Sequence, residues 1–256
     1  MRTIQRPSLK AYVALLILFQ ALCIYSSYSQ PSKRKKQVLV DIAHGQKFYN
    51  DPNGMMGQDS AMVQRVKYMT GEVSRNAAAL NAEMRFQKGK ISKEGLANCD
   101  LLFIHMPSSK YDAAEVQAIQ QYLKKGGSMF IVMEVDYWST LDQANVNDIV
   151  QPFGIVYKQD NPDGKSSGGY TEAGAVARKR FSIPYHGART LEGGTPFCFS
   201  NQTKENPFGI YKNLDGGGKI IAMGDGMVSL YMTSWQGVNN YQCSEFMQDV
   251  FAWLLK

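Results

Sequence analysis

The chain is poor in the residues that build metal and redox sites. Its 256 residues include four cysteines and three histidines. The cysteines form no C-x-x-C pair, and His44, His105 and His186 are far apart, so the spacing excludes a structural zinc site and indicates no metal or cofactor. Cys198 and Cys243 are candidates for one disulfide if the protein reaches an oxidising compartment.

Phosphate-binding sequences are also missing. No G-x-x-x-x-G-K-[ST] motif occurs, which excludes a P-loop nucleotide site. The glycine run 216–218 precedes a predicted strand rather than following one, so it indicates a turn and not a dinucleotide-binding fingerprint. The sequence therefore predicts no cofactor.

The excess of positive charge lies at the beginning of the chain. The net charge is +6, but residues 37–256 hold 21 basic and 22 acidic groups, a net charge of −1. The folded part is thus not a basic nucleic-acid-binding surface. We interpret the run Lys33-Arg34-Lys35-Lys36 as part of a solvated linker over residues 30–36.

A targeting segment precedes that linker. Arg2, Arg6 and Lys10 are followed by an apolar run of about 15 residues, shorter than a membrane span requires, and then by Ser27-Tyr28-Ser29. This pattern predicts a signal peptide over residues 1–29 and a secreted or periplasmic protein. The alternative is an uncleaved N-terminal membrane anchor.

Apolar strands and amphipathic helices alternate over residues 37–256. Apolar runs at 38–42, 101–104, 129–135 and 219–223 predict buried strands. Helices are predicted between them, including a short one from Ser92, one that begins with the capping-box pattern Asp112-x-x-Glu115, and one over residues 141–150. Strand–helix alternation predicts an α/β fold with a doubly wound, mostly parallel sheet, in one domain spanning residues 37–256. Residues 159–218 are rich in Gly, Ser, Pro and Asn, which predicts an irregular or antiparallel excursion in the second half.

Polar residues follow three of the predicted strands. Because ligands of open α/β sheets gather at the carboxyl ends of strands, these positions form the predicted ligand-binding site. Its members are His44, Gln46, Glu134, Asp136, Trp138 and Asp225. Glu134 and Asp136 are two residues apart, so they share a face if the strand continues. Carboxylates beside an indole suit a polyhydroxylated ligand such as a carbohydrate.

The order of motifs resembles a known family. VLVDIAHGQ is followed by CDLLFIHMP, EVQAIQQYLKKGGSMFIVME, NDIVQPFGI, HGARTLEGGTPF, GGGKIIAMGDG and a closing FAWLLK. The series resembles the class I glutamine-amidotransferase-like proteins of uncharacterised type. Their relatives include secreted bacterial domains, the extracytoplasmic domain of gliding-motility ABC-transporter subunits, and the N-terminal domain of an intraflagellar-transport protein. The resemblance implies a flavodoxin-like three-layer α/β domain, usually without amidotransferase chemistry.

The sequence departs from the catalytic branch of that superfamily. Catalytic members carry a cysteine at a tight strand-to-helix turn, but the strand at 129–135 is followed here by Asp136-Tyr137-Trp138. We therefore expect no catalytic residue and a secreted, non-catalytic module that binds a small molecule or carbohydrate, or a protein partner in a membrane complex. The alternative is an extracytoplasmic hydrolase of a sugar or amide that uses His44 and a carboxylate.

Overall fold

The computed structural model describes residues 34–46, 48–136, 139–160, 162–226 and 240–256. Residues Lys36–Lys256 form one compact unit. The predicted signal peptide and Trp138 both lie outside the described residues. Among the described helices, none has the length and apolar character needed to cross a membrane.

The described residues contain helices of very different length. The α-helices are α1 Ser60–Ala79, α2 Ala113–Lys124, α3 Leu141–Ala144, α4 Val146–Val150 and α5 Cys243–Leu254. The strands are β1 Lys36–Asp41, β2 Ala82–Gln87, β3 Leu101–His105, β4 Ser128–Val132, β5 Val156–Tyr157, β6 Gly169–Thr171, β7 Ser182–Ile183, β8 Leu191–Glu192, β9 Thr195–Ser200, β10 Gly209–Asn213 and β11 Lys219–Met223. Two 3-10 helices cover Pro52–Gly54 and Gln151–Phe153.

One large sheet organises the fold. Its nine strands lie in the order β2-β1-β3-β4-β11-β10-β9-β6-β7. The pairs from β2 to β11 are parallel, and those from β11 to β7 are antiparallel. The excursion predicted over residues 159–218 therefore supplies an antiparallel extension of the same sheet, and the sheet is mixed. Strands β5 and β8 pair separately.

Apolar side chains leave the parallel strands in two directions. Along β1, Val38 and Val40 join one apolar cluster, whereas Leu39 joins another. The first cluster includes residues of α1 and α5, and the second includes residues of α2 and α4. Because successive side chains of a strand point to opposite faces, a strand that is apolar at every position is covered on both sides. The coarse α/β prediction is confirmed.

The predicted elements differ from the structure where short-range signals compete. Strand β4 ends at Val132, three residues earlier than predicted. The main-chain nitrogen of Met133 still donates to the Met223 carbonyl of β11 at 2.8 Å, and Glu134 then lies in a loop. The helix predicted over 141–150 is divided at Asn145, whose φ of 39° is left-handed. The short helix predicted from Ser92 is a series of turns, in which the Ser92 carbonyl accepts a bond from Leu96 N at 3.0 Å.

Candidate functional site

The described candidate residues lie at one edge of the sheet. His44 and Gln46 follow β1, Glu134 and Asp136 follow β4, and Asp225 follows β11. These three strands run in the same direction through the pairings of β1 with β3, β3 with β4, and β4 with β11. Their carboxyl ends therefore share an edge, and the candidates divide there into two clusters.

The first cluster surrounds His44, which is 6% exposed. Its Nδ1 atom lies 2.8 Å from Oδ2 of Asp41, the last residue of β1. Its Nε2 atom lies 3.3 Å from Oε1 of Glu115 in the first turn of α2. The imidazole thus joins the end of a strand to the beginning of a helix that lies 71 residues away in sequence.

Other groups hold the two carboxylates in place. The Tyr111 hydroxyl donates to Oδ2 of Asp41 at 2.7 Å, and its ring stacks on the imidazole with centroids 3.9 Å apart. Glu115 accepts hydrogen bonds from the main-chain nitrogens of Ile91, at 2.8 Å, and Asp112, at 3.0 Å. The second of these bonds completes the capping box predicted at the start of α2.

Charge determines the protonation of His44. Burial acts to lower the pKa of the imidazole, but the hydrogen bond and charge of Asp41, together with Glu115, outweigh it and raise the pKa above 6.5. Both ring nitrogens are directed at carboxylates. A general base needs a nitrogen that can reach a substrate proton, and this arrangement does not present one.

Gln46 also turns inward. The side chain is 4% exposed, and its amide nitrogen donates to the main-chain carbonyl of Asp41. Its Oε1 atom has no hydrogen-bond partner among the described residues. Gln46 therefore supports the end of β1, and its contact with a ligand stays a prediction.

The second cluster surrounds Glu134, which is fully buried. Its carboxyl oxygens accept hydrogen bonds from the main-chain nitrogens of Val135 and Gly226, each at 3.0 Å. Burial, followed by the negative charge of Asp225, raises the pKa of Glu134 to about 9. Burial and the neighbouring carboxylate therefore both favour the neutral, protonated form of Glu134.

Asp225 is equally buried and supports the neighbouring loop. Its Oδ2 atom accepts a hydrogen bond from the main-chain nitrogen of His186 at 2.6 Å. Gly224 precedes it and lies so close to the loop that a Cβ atom there would lie 2.0 Å from the Arg189 carbonyl oxygen. Only glycine fits this approach, and the loop over residues 186–189 is thereby held against the end of β11.

Arg189 connects these loops. It is 1% exposed, and its Nε atom donates to the Glu134 carbonyl at 2.7 Å. Its Nη2 atom donates to the Asp136 carboxylate and to the Ser139 carbonyl. Asp136 is 54% exposed, whereas Glu134 is buried, so the two carboxyl groups do not share a face. The strand that would have aligned them ends before either residue.

Burial disfavours the thiolate form of each described cysteine. Cys99, Cys198 and Cys243 are all unpaired, so the candidate disulfide between Cys198 and Cys243 is not formed. Burial raises the pKa of the Cys99 thiol to about 11 and raises the pKa values of the Cys198 and Cys243 thiols as well. A thiolate nucleophile requires the opposite shift.

Within the described ranges, no cluster of His, Cys, Asp and Glu is arranged to hold a metal ion.

Four residues that organise the clusters were absent from the predicted site: Asp41, Tyr111, Glu115 and Arg189. An acid inside an otherwise apolar strand was a usable signal for Asp41, because an unpaired carboxylate is costly to bury. Glu115 did not stand out as a site residue, because its role in the capping box already explained a glutamate at that position. Nothing local distinguishes Arg189 from a surface arginine.

The sequence is similar to one protein family over part of its length. The sequence model of the IFT52 GIFT domain family matches residues 71–165, which include Glu115 and Glu134. A comparison with curated protein sequences finds no significant match.

Solved structures resemble the chain over most of its length. The mmIFT52 N-terminal domain aligns with a TM-score of 0.62 and 20% identity, over 86% of this chain and 97% of that one. An exo-beta-1,4-mannosidase from an Opitutaceae bacterium aligns with a TM-score of 0.51 and 10% identity, over 86% of this chain and 36% of that one. A putative ThuA-like protein from Bacteroides uniformis aligns with a TM-score of 0.50 and 12% identity, over 88% and 94%. At these identities the similarities concern the fold.

Proposed function

We propose that the protein is a non-catalytic module that holds a protein partner in an assembly. The observation that carries this proposal is the arrangement of His44, whose two ring nitrogens both face buried carboxylates. A histidine held in this way joins β1 to α2 and supports a rigid scaffold, and carboxylates of the protein itself occupy both of its ring nitrogens.

The remaining candidate groups support the same interpretation. Both oxygens of Glu134 accept main-chain hydrogen bonds, and Asp225 accepts one from His186. Polar groups at this edge thus connect loops to strand ends. Similarity to the IFT52 GIFT domain, over residues 71–165, supports a role in protein assembly.

The second candidate function is carbohydrate binding at Asp136. Its carboxylate is 54% exposed while the buried Arg189 guanidinium fixes its position. A fixed, accessible carboxylate accepts hydrogen bonds from sugar hydroxyls, and Trp138 lies two residues further along the sequence. For this candidate we expect weak affinity, with a Kd on the order of 0.1–1 mM.

Two proposals concern location and fold. We propose that residues 1–29 direct export and that residues 37–256 act outside the cytoplasm. We also propose a flavodoxin-like three-layer arrangement, which is supported by the parallel order β2-β1-β3-β4-β11 and by apolar clusters that alternate along each of the central strands.

Turnover assays test the proposed function. The full chain is incubated with L-glutamine, with ammonia as the readout, and with a panel of nitrophenyl glycosides. We expect rates equal to those of buffer. Calorimetry with mono- and disaccharides on the wild type and Asp136→Asn tests the second candidate. Turnover that is lost in His44→Gln, while that variant stays folded, would replace the proposed function with the hydrolase alternative.

A further inference from the structure

A cavity of about 570 Å³ lies at the opposite edge of the sheet from the candidate site. Its lining includes the first residues of three parallel strands, Lys36 of β1, Ser128 of β4 and Lys219 of β11. We call this cavity the amino-edge groove. None of the residues discussed above as candidates for ligand binding lines it.

The amino-edge groove concentrates positive charge. Five lysines line it, namely Lys36, Lys93, Lys125, Lys219 and Lys256, whereas Asp100 is the one acidic residue in the described lining. The Asp100 carboxylate accepts a hydrogen bond from the main-chain nitrogen of Gln37 at 2.7 Å. Across the described residues, the salt bridges involve other cations and leave these five lysines without a carboxylate partner.

Lys219 is held in position inside the groove. Its Nζ atom donates to the Trp253 carbonyl at 2.8 Å and lies 5.2 Å from the centroid of the indole ring. Burial, together with the positive charges of Lys36 and Lys256, lowers the pKa of its ammonium group. Like charges gathered at one place repel each other, and a bound anion would relieve that repulsion.

The dimensions favour an extended ligand over a small anion. Lys36 and Lys219 begin strands that are separated by β3 and β4, and three strand spacings place their backbones roughly 14 Å apart. Leu96, Leu254 and Leu255 add buried apolar surface to the lining. A cavity of this volume with both lysines and leucines suits several residues of a chain that carries acidic and apolar side chains.

The rest of the domain has the opposite charge. Of the 21 basic and 22 acidic groups in residues 37–256, four basic and one acidic line the groove, which leaves a net charge of −4 elsewhere. An acidic partner is therefore attracted to the groove and repelled by the other surfaces.

We infer that the amino-edge groove binds an acidic peptide segment of a partner protein, with aspartate or glutamate side chains on the lysines and apolar side chains on the leucines. This inference names the partner chemistry of the assembly module, and to that extent it rests on the proposed function. It places the partner at the amino edge of the sheet, away from His44 and Arg189.

Fluorescence anisotropy on the full chain tests the inference. The probe is a fluorescein-labelled eight-residue peptide of alternating glutamate and leucine, and a peptide of alternating lysine and leucine is its counterpart. The groove variant carries Lys93→Glu and Lys125→Glu, two exposed lining positions. The matched control carries Lys67→Glu and Lys110→Glu, which are exposed, lie outside the lining and change the net charge equally.

We expect the acidic peptide to bind the wild type and the control alike, the groove variant to bind at least about 10-fold more weakly, and added salt to weaken binding. A second groove variant with glutamine at both positions separates loss of charge from any misfolding, and thermal unfolding checks every variant.

Three results would overturn the inference: equal weakening in the control, no binding of the acidic peptide, or binding of inorganic phosphate or anionic phosphatidylglycerol vesicles without the peptide. None of these would affect the turnover assays, so the two proposals fail separately. Turnover of glutamine or a glycoside would reject the non-catalytic function and leave the peptide measurement standing.

Discussion

The Nδ1 atom of His44 lies 2.8 Å from Oδ2 of Asp41, and both side chains are buried at the end of β1. Their separation in sequence is only three residues, yet the pair gains its structural value from Glu115, which approaches the other ring nitrogen from α2. The imidazole ring therefore connects β1 to α2, two elements that are distant in sequence.

Substitution of His44 should lower the free energy of unfolding by an amount that depends on pH. We expect His44→Gln to lower the free energy of unfolding by about 3 kcal/mol near pH 6, because the buried carboxylates of Asp41 and Glu115 lose their shared partner. Since the folded-state pKa is raised, the stabilisation is fully present below 6.5 and is lost as the pH rises through the folded value. Urea unfolding of both proteins from pH 5 to 9 measures this convergence.

His186→Gln is the matched control for that experiment. The His186 side chain is exposed, and its contact with Asp225 is made by the main chain, which the substitution preserves. We expect a change within about 0.5 kcal/mol. A constant difference between wild type and His44→Gln over the whole pH range would contradict the ion-pair interpretation.

Glu134 should destabilise the protein as it ionises. Its pKa rises from 4.5 to about 9 in the folded state, so the folded protein binds more protons and loses stability as the pH increases between these values. Glu134→Gln removes this titration but turns one amide group toward a main-chain N–H, at a cost of about 1–2 kcal/mol. The variant should thus be less stable than wild type at pH 5, and the difference in the free energy of unfolding should become smaller toward pH 9.

Thermal unfolding at pH 5, 7 and 9 measures the effect of Glu134→Gln. Glu205→Gln is the control, since Glu205 is exposed and should show no such crossover. A stability difference that does not vary with pH would mean that Glu134 is ionised throughout, which contradicts the predicted buried acid.

Substitution of the buried Arg189 should reduce the stability of the protein strongly. Arg189→Met removes the guanidinium that donates to the Glu134 carbonyl and the Asp136 carboxylate, and we expect the free energy of unfolding to fall by about 3–5 kcal/mol. Arg75→Met is the comparison, because Arg75 pairs with Glu72 but is 64% exposed. This substitution should lower the free energy of unfolding by about 0–1 kcal/mol. Equal losses in the two variants, measured by urea unfolding, would show that the loops are held by other contacts.

Processing of the N-terminal segment is a separate prediction. The basic, apolar and small-residue series before residue 30 predicts cleavage near Ser29, which would leave Gln30 at or near the mature N-terminus. Intact-mass spectrometry of the exported protein measures the new terminus. A membrane-associated form that retains Met1 would favour the anchor alternative.

Much of the fold was accessible from local patterns. The apolar run at 219–223 coincides with β11, and Asp112 with Glu115 marked the start of α2 through their capping box. These features depend on neighbours within a few residues, so sequence periodicity and capping chemistry predict them. The common edge of His44, Glu134 and Asp225 followed in turn from the parallel direction of their strands.

The chemistry of that edge depended on tertiary structure. Sequence placed six polar candidates together, but packing alone determined that His44 faces Glu115, that Glu134 is buried beside Asp225, and that Arg189 reaches both Glu134 and Asp136. Asp136 and Glu134 separated because β4 ends at Val132. Contacts between residues 50 or more positions apart, and the burial that shifts their pKa values, arise only when the sheet assembles, so no local pattern encodes them.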